Sequence, residues 1–276
     1  HLQVTRAAAT PAGKGVNVSR FLHTAGFAST AWALVGRREV PWFREVLVAA
    51  GIGAGIFPVK GFTRQNVTII CGEDAETHLR EPSPDVAPEE WLALAGAFAS
   101  RVAAGDVVVA AGSIPKGVTA AMLAELVNPL ALKTVVIADV NGPAAAGFFE
   151  RARGVWFKGN RDEIAAITGG GFRTPDLAAL LNERLHLPGL IATGGHEAVF
   201  AAVRSKKGKA VLFEEHPPKM PRVVSTVGAG DAFTAGIAAE ASFSGLNETT
   251  FPAALKRALA LASAALASFG DRYRSA

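Results

Sequence analysis

DVVVAAGS (residues 106–113), TAAMLAELV (residues 119–127) and TVVIADVNG (residues 134–142) are three consecutive segments whose hydrophobic patterns indicate the fold. The first and third segments are short, unbroken apolar runs of strand length, and the segment between them has apolar residues at helical spacing. An unbroken run is typical of a parallel strand that helices cover on both faces. Together the three segments predict a strand–helix–strand unit of a parallel sheet.

The same alternation continues towards the C-terminus. GVWFKGN (residues 154–160) and GLIATGG (residues 189–195) are further strand-like runs, and RDEIAAIT (residues 161–168) and PDLAALLNERL (residues 175–185) have helical spacing. This pattern predicts an α/β fold with a doubly wound, mostly parallel sheet flanked by helices. Ligands of such sheets bind beyond the carboxyl ends of the strands. Those ends carry polar residues, namely Ser113, Asp139, Asn141, Lys158, Asn160 and Thr193.

Composition narrows the class of protein. The chain has 276 residues, of which 50% are hydrophobic and 19% charged, which excludes disordered and fibrous classes. We expect a single α/β domain over residues 1–276. The one cysteine, Cys71, excludes an internal disulfide and cysteine-based metal sites, and it fits a cytoplasmic location.

Charge and hydropathy give little support for a nucleic-acid or membrane partner, and a few cations converging on a pocket for a small anion would explain the excess positive charge equally well. Lys and Arg number 28 against 24 Asp and Glu, with no run of five like charges, so we expect no nucleic-acid partner. The apolar stretches are broken before about 18 residues, so we expect no membrane-spanning segment and no membrane partner.

Residues 59–82, VKGFTRQNVTIICGEDAETHLREP, differ from the rest of the chain. They read as two alternating strands around a Gly-Glu-Asp turn, which predicts a β-hairpin lid, together with residues 1–10. One face of this hairpin carries Val67, Ile69 and Leu79, and a two-stranded hairpin cannot bury such a face alone. We therefore expect it to pack over the site and against the lid of a second subunit, giving a homodimer.

The segment VSTVGAGDAFTAG (residues 224–236) is the sharpest chemical signal. Gly228 and Gly230 permit a tight turn, and a helical pattern begins near Asp231. The exposed N–H groups of a helix start bind anions, and a carboxylate there can accept a proton from an attacking hydroxyl. The alternative is that Asp231 is an ordinary N-cap behind a glycine turn.

A second glycine-rich segment, AGKGVNVSR (residues 12–20), opens another predicted helix. Lys14 offers a positive charge for a phosphate, and Asn17 can hydrogen-bond sugar hydroxyls. The alternative is that Asn17 caps the helix.

The third segment, KGNRDE (residues 158–163), ends a predicted strand. Asn160 and Glu163 present oxygen atoms suited to a hydrated Mg²⁺. The same spacing is that of a capping box, and both roles can hold at once.

In this order, the segments resemble the PfkB (ribokinase-like) family of carbohydrate kinases. Residues 13–20 and 224–236 are similar to its two signatures, and residues 158–163 look like its magnesium motif. Three further segments resemble the mid-chain site loops of that family, namely GSIPKG (residues 112–117), ADVNGP (residues 138–143) and TGG (residues 193–195).

The resemblance implies ATP and Mg²⁺ as cofactors and assigns roles to residues. Asp231 would be the base, with the backbone of Gly228, Ala229 and Gly230 holding the developing charge. The substrate-binding residues would be Gly13, Lys14, Asn17, Arg64 and Ser113. The nucleotide-binding residues would be Lys158, Asn160, Thr193, Gly195, Thr226 and Ser263, with residues 251–269 walling the adenine pocket. Mg²⁺ would be held through water by Asn160 and Glu163.

Two lid segments, TRQN (residues 63–66) and LREP (residues 79–82), look like the branch of the family that phosphorylates fructose 1-phosphate, fructose 6-phosphate or tagatose 6-phosphate. In that branch, Lys14 and Arg64 would bind the phosphate already on the sugar, since a guanidinium fork matches phosphate oxygens. Neither cation has an acidic neighbour in the sequence apart from Glu73 and Glu76, so we expect both to face one pocket and share an anion.

Two alternatives stay open. One is a kinase of an unphosphorylated sugar or nucleoside on the same fold, in which Arg64 would be structural. The other is a catalytically silent protein that binds a sugar phosphate or a nucleotide.

Overall fold

The computed structural model describes residues 4, 7–71, 75–184, 186–220 and 226–268. Helices and strands alternate along most of this described chain. In order they are α1 (Lys14–Thr24), β1 (Thr30–Gly36), α2 (Val40–Ala49), β2 (Gly53–Val59), β3 (Asn66–Cys71), β4 (Ala75–Arg80), α3 (Pro88–Arg101), β5 (Val107–Ser113), α4 (Ala120–Ala131), β6 (Val135–Asn141), α5 (Ala145–Arg151), β7 (Val155–Asn160), α6 (Arg161–Thr168), α7 (Thr174–Glu183), β8 (Gly189–Thr193), β9 (Val199–Arg204), β10 (Ala210–Glu215), α8 (Ala229–Ser244) and α9 (Phe251–Ser268).

The main sheet has six strands in the order β10-β9-β8-β7-β6-β5. Strands β5 to β8 are mutually parallel, and they are the four strands that the unbroken apolar runs predict. Strands β9 and β10 pair antiparallel at one edge and were not among the predicted strands. The doubly wound, mostly parallel sheet is confirmed.

Helices cover both faces of this sheet, which explains why its strands are apolar without interruption. Neighbouring residues of β7 illustrate the two faces, because successive strand side chains point to opposite sides. Trp156 stacks on Phe251 of α9, with ring centroids 5.8 Å apart. Phe157 packs against Phe148 and Phe149 of α5 on the other side. None of the described helices is long and apolar enough to cross a lipid bilayer.

Two smaller sheets lie outside the main one. Strands β1 and β2 pair in parallel, and β3 and β4 form an antiparallel hairpin. The hairpin lies within residues 59–82, where the alternation predicts it, while its turn at residues 72–74 lies outside the described residues. Of residues 1–10, the described ones (4 and 7–10) belong to no helix or strand, and the rest of that lid prediction lies outside the described residues.

Candidate active site

Polar side chains meet at the carboxyl edge of the parallel strands. Ser113, the last residue of β5, lies opposite Asn141 of β6, and its Oγ donates to Asn141 Oδ1 at 2.7 Å. Asn160, the last residue of β7, lies opposite Thr193 of β8. Since parallel strands end at one edge, Ser113 and Thr193 mark the two ends of a row of candidate ligands.

The start of α8 lies at the same edge and has the form of an anion site. Gly228 is the N-cap, with a φ of 83° that side chains other than hydrogen rarely permit, and Ala232 N donates to Gly228 O at 2.8 Å. The first N–H groups of a helix have no carbonyl partner within the helix, and its dipole favours negative charge there. Thr226 is exposed just before this turn, whereas Val224 and Ser225 lie outside the described residues.

Asp231 is the third residue of α8, so the alternative that makes it the N-cap is wrong. It is only 7% exposed, and its Oδ2 accepts a hydrogen bond of 2.7 Å from Asn17 Nδ2. Asn17 is not a helix cap either, since Gly13 is the N-cap of α1 and Asn17 lies inside that helix. The two glycine-rich segments therefore meet through one side-chain hydrogen bond.

Burial sets the proton affinity of Asp231. It raises the pKa of this carboxyl to about 6, against the opposing effect of the hydrogen bond from Asn17. The nearby charge of Asp139 also raises the pKa, while Lys158 and Lys14 lower it. A carboxylate with such a pKa is ionised at neutral pH and more basic than an ordinary aspartate, which suits a general base.

Asp139, in β6, is the centre of the charge network. It is fully buried. Its Oδ1 accepts from Lys14 Nζ at 2.7 Å, and its Oδ2 accepts from Lys158 Nζ at 2.9 Å and from Thr234 Oγ1 at 3.0 Å. Burial acts to raise the pKa of Asp139, but Lys158 and Lys14 outweigh it and hold that pKa below the ordinary value. From the sequence, Asp139 is one of several polar residues at the strand ends and has no specific role, although an aspartate inside the apolar run VVIADVN is a signal for one.

Lys14 has two acidic partners in the folded chain that its sequence neighbourhood does not show. Its Nζ lies 2.7 Å from Asp139 and 3.7 Å from Glu163, residues that are remote in sequence. Burial acts to lower the pKa of Lys14, but these carboxylates raise it above the ordinary value, so the ammonium stays charged. The side chain is 25% exposed, which leaves Lys14 both tethered and accessible.

Lys158 lies beneath the start of α8 and is only 5% exposed. Its Nζ donates to Gly230 O at 3.3 Å as well as to Asp139. A Cβ placed on Gly230 would lie 3.2 Å from that Nζ, so the glycine allows the backbone to approach the ammonium closely. The positive charge of Lys158 therefore lies directly behind the candidate anion site.

Asn160 and Glu163 form the capping box that their spacing predicts. Asn160 Oδ1 accepts from Glu163 N at 2.9 Å, and Glu163 Oε2 accepts from Asn160 N at 2.8 Å. The other carboxylate oxygen, Oε1, faces Lys14. No group of three or more His, Cys, Asp or Glu suited to a metal occurs among the described residues. Oε1 makes no hydrogen bond of the capping box, and one such carboxylate oxygen fits a Mg²⁺ held through water, because Mg²⁺ keeps several of its waters.

Arg64 lies apart from this network. Its Nη1 donates to Ser83 Oγ at 3.0 Å, and it lines a cavity of about 760 Å³ at the base of the hairpin with Lys60, Phe62, Glu81 and Val86. Lys14 does not line that cavity, so the expected sharing of one pocket by the two cations is not seen there.

The remaining predicted ligands are spread around the same edge. Gly13 has a φ of 125° at the start of α1, and Gly195 has a φ of 69° in the turn after β8. Thr193 Oγ1 donates to Gly159 O at 3.3 Å. Ser263 is half-buried on α9, and Phe269, at the end of the predicted adenine wall, lies outside the described residues.

Similarity to known proteins extends along nearly the whole chain. The model of the family described as pfkB family carbohydrate kinase matches residues 1–275. The chain is 35% identical over 235 residues to a 1-phosphofructokinase of Rhodobacter capsulatus, covering 82% of this chain and 71% of that protein. It is 29% identical over 236 residues to a 1-phosphofructokinase of Bacillus subtilis strain 168, covering 83% and 74%.

Solved structures show the same fold. The tetrameric inhibited form of phosphofructokinase-2 from Escherichia coli has a TM-score of 0.84 at 20% identity, covering 99% of this chain and 89% of that one. A possible 1-phosphofructokinase from Thermotoga maritima has a TM-score of 0.77 at 24% identity, covering 96% and 86%. The ribokinase-like fold that the resemblance implied is confirmed.

Proposed function

The chain belongs to the pfkB family of carbohydrate kinases, and from that premise we propose that it transfers the γ-phosphoryl group of ATP to a hydroxyl of a hexose phosphate. The acceptor is of the fructose 1-phosphate, fructose 6-phosphate or tagatose 6-phosphate class. The observation that carries the chemical part is the buried Asp231 at the glycine-lined start of α8. Fructose 1-phosphate is the first acceptor to test, because two relatives are named 1-phosphofructokinases.

In the proposed reaction, Asp231 takes the proton of the attacking hydroxyl. The hydroxyl oxygen bonds to the γ-phosphorus, the bond from that phosphorus to the β,γ-bridging oxygen breaks, and ADP leaves. Backbone N–H groups at the start of α8 stabilise the charge on the phosphoryl oxygens. The hydrogen bond from Asn17 orients the Asp231 carboxylate towards the acceptor.

The sugar phosphate is proposed to lie between α1 and the hairpin. Asn17 and Ser113 bind sugar hydroxyls, and the backbone of Gly13 permits close approach. Lys14 and Arg64 bind the existing phosphate; this requires Arg64 to leave Ser83 and the lid to close over Lys14. The accessible but tethered ammonium of Lys14 supports this role.

The nucleotide is proposed to lie towards β8 and α9. Its contacts are with Lys158 through the start of α8, and with Asn160, Thr193, Gly195, Thr226 and Ser263. Mg²⁺, when bound, would supply charge neutralisation for the phosphates of ATP. Glu163 and Asn160 would hold it through water, Glu163 with Oε1, the carboxylate oxygen that the capping box does not use.

We also propose that the protein is a homodimer formed through the lid hairpin. The support is an apolar face that the single chain leaves open, since Val67, Ile69 and Leu79 are 44%, 40% and 55% exposed. Burying three such side chains stabilises an interface by the hydrophobic effect.

The test is an assay of ATP-dependent ADP formation with the three hexose phosphates, and with fructose, ribose and nucleosides as neutral acceptors. We expect kcat/KM for one hexose phosphate to exceed that for every neutral acceptor by about 100-fold, the worth of charged hydrogen bonds to a phosphate. Comparable or better turnover of a neutral acceptor contradicts the proposal and favours the neutral-sugar kinase. ATP binding without turnover of any acceptor favours the silent binding protein. The Asp231→Asn protein, purified identically, controls for contaminating kinases.

A further inference from the structure

A fully buried carboxylate joins four elements of the site. Asp139 of β6 contacts Lys14 of α1, Lys158 of β7 and Thr234 of α8. We propose that Asp139 is the positioning residue of the phosphoryl-transfer site, which holds the Gly230–Asp231 peptide at the start of α8 through Lys158 and Thr234. The inference rests on the proposed function, in which this peptide faces the transferred group.

The hydrogen bonds form a closed ring around one backbone carbonyl. Gly230 O accepts from Lys158 Nζ at 3.3 Å and from Thr234 Oγ1 at 3.0 Å. The same two donors reach Asp139 Oδ2, at 2.9 and 3.0 Å respectively. The hydroxyl of Thr234 has one proton to share between Gly230 O and Asp139, whereas the ammonium of Lys158 can serve both. Asp139 therefore holds the Lys158 ammonium against the carbonyl and shares with that carbonyl the one proton of Thr234.

The direction of this carbonyl determines where the next N–H points. The described peptide bonds are all trans, so the N–H of Asp231 is opposite the C=O of Gly230. That C=O points towards the buried ammonium of Lys158. The N–H of Asp231 consequently points away from the interior, towards the end of the helix where an anion would bind.

Asp139 also holds the other glycine-rich segment. Its Oδ1 accepts from Lys14, the first residue of α1, while Asn17 of the same helix binds Asp231. One carboxylate thus fixes α1 and α8 relative to each other at the point where sugar and phosphoryl group would meet. Displacement of reacting groups by about 1 Å costs roughly 10²-fold in rate, so a connection at this point has a kinetic effect beyond stability.

A matched control exists on the same helix. Glu240 of α8 accepts from Arg257 Nε of α9 at 2.7 Å, and its side chain is 16% exposed. This ion pair also joins α8 to another element, and its Arg257, on the helix predicted to wall the adenine pocket, lies over the rings of Phe27 and Phe243. Glu240→Gln therefore measures the effect of losing a shielded carboxylate of α8 without disturbing Asp139.

The test compares Asp139→Asn with Glu240→Gln in the full chain. We expect Asp139→Asn to lower kcat by about 10²-fold with the KM for ATP within about threefold, and to speed amide exchange in the peptide spanning residues 226–236. Glu240→Gln should leave kcat unchanged. The inference fails if the folded Asp139→Asn protein has a kcat within about twofold of wild type and the wild-type exchange rate in that peptide. It also fails if Glu240→Gln lowers kcat as much as Asp139→Asn does, because Asp139 is then only structural.

Asp139→Asn leaves the Lys158 ammonium buried without a carboxylate, which is a reason for the variant to fail to fold. In that case two variants of Thr234 test the inference. Thr234→Val removes one neutral hydroxyl of the ring, and we expect it to lower kcat about tenfold and to speed exchange of the same peptide. Thr234→Ser restores the hydroxyl and should restore both. Equal exchange in Thr234→Val and wild type overturns the inference. A wild-type protein that is inactive on all sugar phosphates overturns the proposed function. The exchange measurement needs no substrate, so it still decides whether Asp139 holds the peptide.

Discussion

The start of α8 and the β3–β4 hairpin differ in how completely the chain itself buries and hydrogen-bonds their side chains. At the start of α8, Asp139, Lys158 and Asp231 are almost fully buried, and each has a hydrogen-bond partner within the chain. Within the part of the chain that the structure describes, the hairpin strands pair with each other and with no third strand, and Val67 and Leu79 remain about half exposed. Under the proposed function, the catalytic groups are already in place within one chain, whereas the hairpin is the part that a ligand or a second copy would complete.

Replacement of Asp231, at the start of α8, is expected to lower the rate more than the other substitutions. Asp231→Asn keeps the hydrogen bond from Asn17 but removes the proton acceptor, so we expect kcat to fall by roughly 10² to 10⁴ while the Kd for ATP stays nearly constant. The measurement is a single-turnover assay beside a calorimetric titration with ATP. Retention of more than about half of the wild-type rate would mean that Asp231 only orients α8.

Replacement of Arg64, beside the hairpin, tests whether the acceptor is a sugar phosphate or a neutral sugar. Arg64 donates to Ser83 in the free chain, and replacing it with Met removes a charged donor for the substrate phosphate. We expect the KM for the hexose phosphate to rise by an amount corresponding to roughly 2–3 kcal/mol, with the KM for ATP unaffected. The matched control is Arg38→Met, because Arg38 lies over the Phe62 ring, beside the same cavity. An unchanged sugar-phosphate KM would favour a neutral acceptor.

The two regions also differ in how much the sequence revealed. Strands β5 to β8 could be predicted because burial on both faces requires unbroken apolar runs, and the hairpin because alternation marks a half-exposed strand. The pairs Lys14–Asp139 and Asn17–Asp231 could not, since they join residues 125 and 214 positions apart. Such pairs depend on how α1 and α8 pack on the sheet. For the same reason both N-cap interpretations, of Asn17 and of Asp231, were open in the sequence and wrong in the structure.

A third prediction tests whether a second copy completes the lid. Ile69→Lys places a charge on the open apolar face of β3, and we expect it to weaken dimerisation by about 100-fold while leaving the thermal unfolding of the monomer nearly unchanged. Sedimentation velocity at micromolar concentration measures this. Leu132→Lys, at a side chain that is 90% exposed on α4's C-terminal side, is the control for a charge placed elsewhere. A wild-type protein that sediments as a strict monomer would refute the dimer.

A smaller effect concerns the metal. Glu163→Gln retains an oxygen that accepts the Asn160 N–H of the capping box but loses the negative charge of the outward oxygen. We expect the Mg²⁺ concentration for half-maximal activity to rise about tenfold at fixed ATP, with no change in the melting temperature. If Mg²⁺ dependence is unchanged, Glu163 serves only as a helix cap.

The role of Asp231 as the base is tested most directly by the pH dependence of the wild-type phosphoryl-transfer rate in single turnover. Burial raises the pKa of Asp231 from the ordinary 3.8 to about 6. Above that pH the carboxylate is ionised and can take the proton of the acceptor hydroxyl, and below it the carboxylate is progressively neutralised. We predict a rate that is level above about pH 7 and falls about tenfold per unit below pH 6, a limb that Asp231→Asn lacks. A wild-type rate that stays level down to pH 5, or an identical acid limb in Asp231→Asn, would contradict the assignment of Asp231 as the base.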